Sequence, residues 1–248
     1  MIKSIIQHEL RLAFYNRKTW FCLAAIHALL GIIFNWLMTS FLKNQASLPS
    51  LKYGITEEVI HPYYAWFALI VLLFIPMLTT QAICAERPAK TLINYCCAPI
   101  SAMQFVLAKF FALSVMLLLM VIFISLLPLS VIISGSLDWG QYLASIFGVY
   151  LMLNVALAIG LVFSSFMHSV TRANITVFLS LITFVLLEWA AQYTGKQAMF
   201  LQNFGLLNPL KNFMAGIISV QGTSYYLLVI GCALIISKRL FSRGAPNV

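Results

Sequence analysis

Six separate apolar stretches fix most of what this chain can become. A helix rises 1.5 Å per residue, so about 20 apolar residues match the hydrocarbon core of a bilayer. The stretches run 20–41, 64–84, 110–133, 142–166, 175–192 and 225–237. The last is short unless it continues into Lys238 and Arg239. Inside lipid, backbone N–H and C=O groups must be satisfied within the element, so each stretch is expected to be a helix. Composition agrees: 62% of the 248 residues are hydrophobic and 8% charged, against about 25% charged in ordinary soluble domains. A soluble fold with so few polar groups could not cover its surface.

The basic residues sort the loops. With the N-terminus inside, the inner flanks carry Lys3, Arg11, Arg17, Lys18, Arg87, Lys90, Lys109, Arg172, Lys238, Arg239 and Arg243. The outer flanks carry only Lys43, Lys52, Lys196 and Lys211. Cytoplasmic loops hold the excess of Lys and Arg, so both termini are expected in the cytoplasm. The net charge of +9 therefore reads as topology and contact with anionic membrane lipids, with no nucleic-acid partner. No cleavable leader is expected; the first apolar run reads as a retained helix.

Three segments outside the spans are informative. In 1–17, Ile2, Ile5, Ile6, Leu10, Ala13 and Phe14 recur at helical spacing, with Lys3, Gln7, His8 and Arg11 on the other side. Such a basic amphipathic helix is suited to the membrane interface. The loop 85–109 holds Glu86, Arg87, Pro88 and Lys90, then apolar Leu92–Tyr95, then Pro99. Prolines punctuate both ends, and a short, sticky helix between them fits a docking site. The outer segment 193–224 is long and rich in Phe and Leu. One or two short re-entrant or interfacial helices are expected there, broken near Asn208-Pro209 and Gly216. No repeat is evident, and residues 1–248 read as a single transmembrane domain.

Catalytic signatures are missing from the sequence. It has no GxxxxGK[ST], no HExxH, no CxxC among its five cysteines and no His at zinc-ligand spacing. Glu57-Glu58 resembles the glutamate pair of membrane-embedded CAAX-type proteases, but no Arg follows at the expected spacing and the pair is expected in an outer loop. Ser164 and Ser165 lack the glycine framing of an intramembrane serine protease, and His27 alone is a packing residue. The chain is therefore not expected to be an enzyme itself, nor to bind a metal. Intramembrane polar groups suited to a transport path are Glu188, Asn35 and Asn154. Asn35 and Asn154 also suit the bonding of one helix to another. Glu188, beside Trp189 near the outer end of its span, reads equally as a functional acid or as a group reaching the interface.

The stretch from Cys84, CAERPAKTLINYCCAPISAMQFVLAKFFALSVM, resembles the type-2 ABC exporter permease pattern. An acidic-basic pair, a Thr-Leu, an apolar run, a Pro and a Leu-x-Lys-Phe follow in order. Glu86, Arg87, Thr91, Leu92, Pro99, Lys109 and Phe110 match it; Ala89 and Lys90 stand where the family has Gly or Ser-Gly. His8-Glu9-Leu10-Arg11 is similar to the family's opening motif. Ala158–Phe166 resembles the end of its fourth span. Phe213–Val220, Tyr225-Tyr226 and Lys238-Arg239 resemble the tail of the gliding-motility-type permeases.

The resemblance implies a permease half in the cytoplasmic (inner) membrane of a bacterial-type cell. Two such subunits, identical or related, would pair. ATP and Mg would be bound by a separate ABC ATP-binding subunit. Residues 86–100 would form the coupling helix, with Glu86, Arg87, Lys90, Thr91, Leu92 and Pro99 at the docking surface. The first helix, with Glu9 and Arg11, would brace the same junction. The substrate is left open. A non-transporting scaffold or mechanical transmitter, or a stand-alone secondary transporter, would show the same spans, but the internal repeats common in the last class are not seen.

Overall fold

The computed structural model describes residues 2–15, 17–47, 54–84, 101–133, 137–193 and 205–244. Among these the chain is all-helical. In order they form α1 (Ile2–Tyr15), α2 (Arg17–Ser47), a π-helical turn (Thr56–Ile60) running into α3 (His61–Ala82), and α4 (Ala102–Leu129) with a 3-10 extension (Ser130–Ile133). Then come α5 (Trp139–Phe166), α6 (Val170–Tyr193), the short α7 (Asn208–Met214) and α8 (Val220–Gly244). Six helical segments are long and apolar enough to cross a bilayer: Thr19–Ala46, Thr56–Ala82, Ala102–Leu129, Trp139–Phe166, Val170–Ala190 and Val220–Ser242. All six apolar stretches of the sequence thus return as helices.

Local chemistry places several helix starts. Ser101 caps α4 through a reciprocal box: its hydroxyl accepts from the Gln104 N–H at 3.3 Å, while its own N–H donates to Gln104 Oε1 at 3.1 Å. Asp138 caps α5, its Oδ1 accepting from Gly140 N at 2.9 Å and Gln141 N at 3.3 Å. Pro209 lies in the first turn of α7, where its missing N–H costs nothing. Gly216 (φ 81) turns the chain after α7, in the region that favours glycine.

α5 is the axis of the bundle, packed against α3, α4, α6, α7 and α8. Of its most apolar stretch 67% is buried, against 17% in both α2 and α6, so those two helices stand at the outside. Two glycines let neighbours approach α5 closely. A Cβ on Gly160 would lie 2.6 Å from Thr79 Oγ1 of α3, and one on Gly148 2.5 Å from Phe213 Cβ of α7. Small residues at helix crossings take this role in membranes, where lipid offers no competing hydrophobic drive. One contiguous core joins Leu30, Phe67, Ile75, Val121, Met152, Leu181 and Tyr226. Large apolar side chains such as Ile32, Trp36, Leu126, Leu179 and Leu228 face outward. In water that surface would aggregate; in hydrocarbon it is matched.

Two boundaries differ from the sequence reading. The second span begins at Thr56, so Glu57 and Glu58 sit on a helical turn and not in a loop. Asn44 at the end of α2 donates to Glu58 Oε1 at 2.8 Å, which satisfies a charge that hydropathy alone counts against a helix. α8 runs from Val220 to Gly244, longer than the stretch 225–237. Its ends are amphipathic, so an apolar count stops short of them. The outer segment does carry a short helix between Asn208 and Gly216, whereas its residues 194–204 lie outside the described part.

Candidate functional site

Contacts define two ends of the bundle. One, the terminal end, gathers α1, the end of α3, the start of α4, the α5–α6 connection and the end of α8. The other, the distal end, gathers the ends of α2 and α6, the starts of α3, α5 and α8, and α7. The described basic residues are divided unequally. Lys3, Arg11, Arg17, Lys109, Arg172, Lys238 and Arg239 belong to the terminal end, and Lys43 and Lys211 to the distal one.

The terminal end is fastened by an ion pair. Lys109 sits two turns into α4, its side chain 1% exposed, and its Nζ lies 2.6 Å from Glu9 Oε1 of α1. Glu9 is 17% exposed. The ammonium also lies 5.5 Å from the centre of the Phe105 ring, whose π face adds to its stabilisation. A lysine this deep in an apolar helix is expensive unless paired, and α1 supplies the partner. Around the pair, Phe105 of α4 stacks on Phe241 of α8 at 4.9 Å. Cys84, at the end of α3, donates its N–H to Ser164 Oγ at 3.1 Å and its thiol to the Met167 carbonyl at 3.3 Å. Ser165 and Ser237 are 2.6 Å apart, joining α5 to α8. Thr80 donates to Asn174 Oδ1 at 2.6 Å, joining α3 to α6. Six helices are therefore tied to one another on both sides of the segment 85–100: Cys84 anchors where it begins and the Ser101 cap where it ends.

That segment holds most of the site residues expected from sequence. Glu86, Arg87, Lys90, Thr91, Leu92 and Pro99 lie outside the described residues. Of the two expected on the first helix, Glu9 turns inward to Lys109, and Arg11 stays exposed with its guanidinium 5.9 Å from the Tyr15 ring centre. Sequence reasoning set Glu9 and Lys109 in separate motifs and did not join them. The signal was present: a lone cation inside an apolar run calls for a nearby acid.

The middle of the bundle carries a closed polar loop. Tyr150 OH lies 2.7 Å from Ser114 Oγ, which donates to Asn154 Oδ1 at 2.5 Å, and Asn154 Nδ2 donates to the Tyr150 carbonyl at 2.7 Å. Asn154 is thus satisfied between α4 and α5. Asn35 is exposed on α2, away from it. Nearer the distal end, Tyr64 OH donates to Ser125 Oγ at 3.0 Å, Tyr142 OH to the Ser125 carbonyl at 2.5 Å and Tyr63 OH to the Ile124 carbonyl at 3.0 Å. Their rings pack edge-on or tilted, 5.6 to 6.1 Å apart.

At the distal end, Glu188 turns inward. It is 1% exposed, although Trp189 beside it faces outward. Glu188 Oε2 accepts the Leu207 N–H at 2.7 Å. Its Oε1 has no hydrogen bond among the described residues, with Lys211 Nζ 3.8 Å away. Gly205 lies against the carboxylate so closely that a Cβ there would be 2.5 Å from Oε2. Tyr226 OH donates to the Leu206 carbonyl at 2.7 Å and stacks on Phe213 of α7. Glu188 and Tyr226 together hold the turn that leads into α7. Among the described residues no cluster of His, Cys, Asp or Glu is arranged to hold a metal.

A search of curated proteins finds no match for the chain. A protein-family model described as "ABC-2 family transporter protein" matches residues 3–237, which takes in α1 and all or nearly all of every span. This multi-pass helical membrane protein belongs to the ABC-2 family of transporter permeases.

Proposed function

We propose that the chain is the membrane-spanning permease subunit of an ATP-driven exporter, with its terminal end in the cytoplasm of a bacterial-type inner membrane. The carrying observation is the family match over residues 3–237. The division of basic residues between the two ends supports the orientation, because cytoplasmic flanks collect Lys and Arg. ATP and Mg belong to a separate ATP-binding subunit, and the chain works beside a second permease subunit, a copy or a relative. The polypeptide supplies no hydrolytic site of its own.

In this reading residues 86–100 dock on the ATP-binding subunit, with Glu86 and Arg87 in polar contact and the apolar residues seated in a groove. Closure of the ATP-binding subunits moves this segment. Cys84 and Ser101 anchor its flanks to α5 and α4, so a push at the loop reaches the spans without being absorbed by slack. α1 lies along the membrane surface, held to α4 by the Glu9–Lys109 pair. A transporter of this kind alternates between two packings whose balance the partner shifts.

The test is co-purification. The native chain, tagged and extracted in mild detergent, retains a stoichiometric P-loop subunit. Glu86→Ala and Arg87→Ala lower that retention while leaving membrane insertion unchanged. Unchanged retention in both variants removes the docking assignment, and absence of any P-loop subunit removes the transporter reading itself.

A further inference from the structure

α1 presents a second face, and its chemistry is unlike that of the face packed on α4. His8, Arg11, Leu12 and Tyr15 follow one another at helical spacing and line a shallow cleft on the exposed side. Leu12, Phe14 and Tyr15 are 55%, 43% and 77% exposed. Glu9 is the only acid among the first 50 residues, and Lys109 draws it inward. The exposed face therefore combines cations with apolar groups and carries no negative charge. Such a face suits neither water nor pure hydrocarbon, and suits the headgroup level of an anionic bilayer.

A separate apolar groove opens near the end of α1. Trp20 Nε1 donates to the Phe14 carbonyl at 2.7 Å and its ring packs 6.0 Å from that of Phe14, so the first turns of α2 fold back on the end of α1. Beyond them α2 stands off from α4. Phe14, Thr19, Trp20, Leu23, Met116 and Phe123 line the gap. Thr19, Leu23 and Met116 also line a second gap on the α3 side of α2. The lining is apolar and runs along the span, starting one helical turn from Arg11.

We infer that α1 and the α2–α4 groove form a site for one anionic phospholipid, its phosphate on Arg11 and His8 and an acyl chain along Leu23 and Met116. The charge of the cleft selects the headgroup, and the groove accounts for the chain. The inference rests on α1 lying at the membrane surface, as proposed above. Because the same helix is ion-paired to α4, a lipid bound here would bear directly on the terminal junction.

The test uses the purified, delipidated full chain and native mass spectrometry against an equimolar mixture of phosphatidylglycerol and phosphatidylcholine. One cation at the headgroup is expected to give a preference for phosphatidylglycerol of roughly five-fold. Arg11→Gln abolishes the preference and Arg11→Lys keeps it. Met116→Trp, which narrows the groove, lowers lipid retention with the charges intact, and carries the test if Arg11→Gln does not fold. Equal retention of the two lipids by the native chain, or an undiminished preference in Arg11→Gln, overturns the inference. A photoreactive side chain at position 12, activated in native membranes, tests the lipid site and the surface placement of α1 separately. Adducts with lipid, without headgroup preference in the purified chain, sink the lipid site alone. Adducts only with protein, such as the ATP-binding subunit, sink the surface placement of α1 as well.

Discussion

Glu9 and Glu188 are both acids withdrawn from water, and they are satisfied in opposite ways. Glu9 meets a buried ammonium at 2.6 Å, an ion pair that spans one hundred residues of sequence. Glu188 takes a backbone N–H at 2.7 Å and leaves its other oxygen 3.8 Å from a lysine that is 56% exposed. The first arrangement joins two helices through a direct side-chain pair. The second uses a carboxylate as a clamp for a turn, and its charge is only loosely answered. The terminal end is thus built to hold its helices in register, while at the distal end the electrostatics are weaker and packing of Phe213 and Tyr226 does more of the holding.

The largest expected effect comes from splitting the tight pair. Lys109→Met leaves Glu9 facing an apolar helix and should cost about 3–5 kcal/mol, read as a lowered thermal midpoint in detergent. Adding Glu9→Leu should recover most of the loss, since an apolar pair of similar size often replaces a buried ion pair without penalty. Simple additivity of the two losses would show that the charges are not coupled.

Next is Gly205→Ala. Its Cβ would press on the Glu188 carboxylate, and overpacking of this kind costs about 1–3 kcal/mol. Because the contact is to Glu188, the cost should shrink in a Glu188→Ala background; an unchanged cost would point to another clash. Glu188→Gln is expected to be milder, about 1 kcal/mol or less, because its amide oxygen still accepts the Leu207 N–H. Transport activity lost at unchanged stability in this variant would assign the charge a role beyond the clamp. Lys211→Ala should be smallest, with no measurable change in thermal midpoint, since half-exposed ion pairs at this distance contribute little. A clear drop would mean that Lys211 answers Glu188 more firmly than 3.8 Å suggests.

The spans were legible because burial in lipid imposes one crude rule, about 20 apolar residues in a row. Legibility ended where polar groups are satisfied by partners remote in sequence. Glu57 and Glu58 read as loop residues until Asn44 is placed beside them. Glu188 next to Trp189 reads equally as a functional acid or as an interfacial group, and its contact with Leu207 and Gly205 shows only once they are folded against it. In the Ser114–Tyr150–Asn154 loop, Tyr150 and Asn154 stand one turn apart on α5, but the Ser114 that completes it comes from α4, forty residues away from Asn154. The Ser101–Gln104 box, by contrast, is a four-residue pattern that sequence displays openly. The central place of α5 could not be read from hydropathy, because all six spans are apolar; small Gly148 and Gly160 were its only sign.

On the proposed function, the terminal end of the bundle receives an ATP-binding subunit. The direct measurement is lysine-reactive cross-linking in membranes of the native host, with the linked peptides identified by mass spectrometry. The account predicts links from a P-loop protein to Lys3, Lys18 or Lys90 at the terminal end, and none to Lys43, Lys52 or Lys211. Links from a P-loop protein to the distal lysines, or none from such a protein to any lysine, would contradict it.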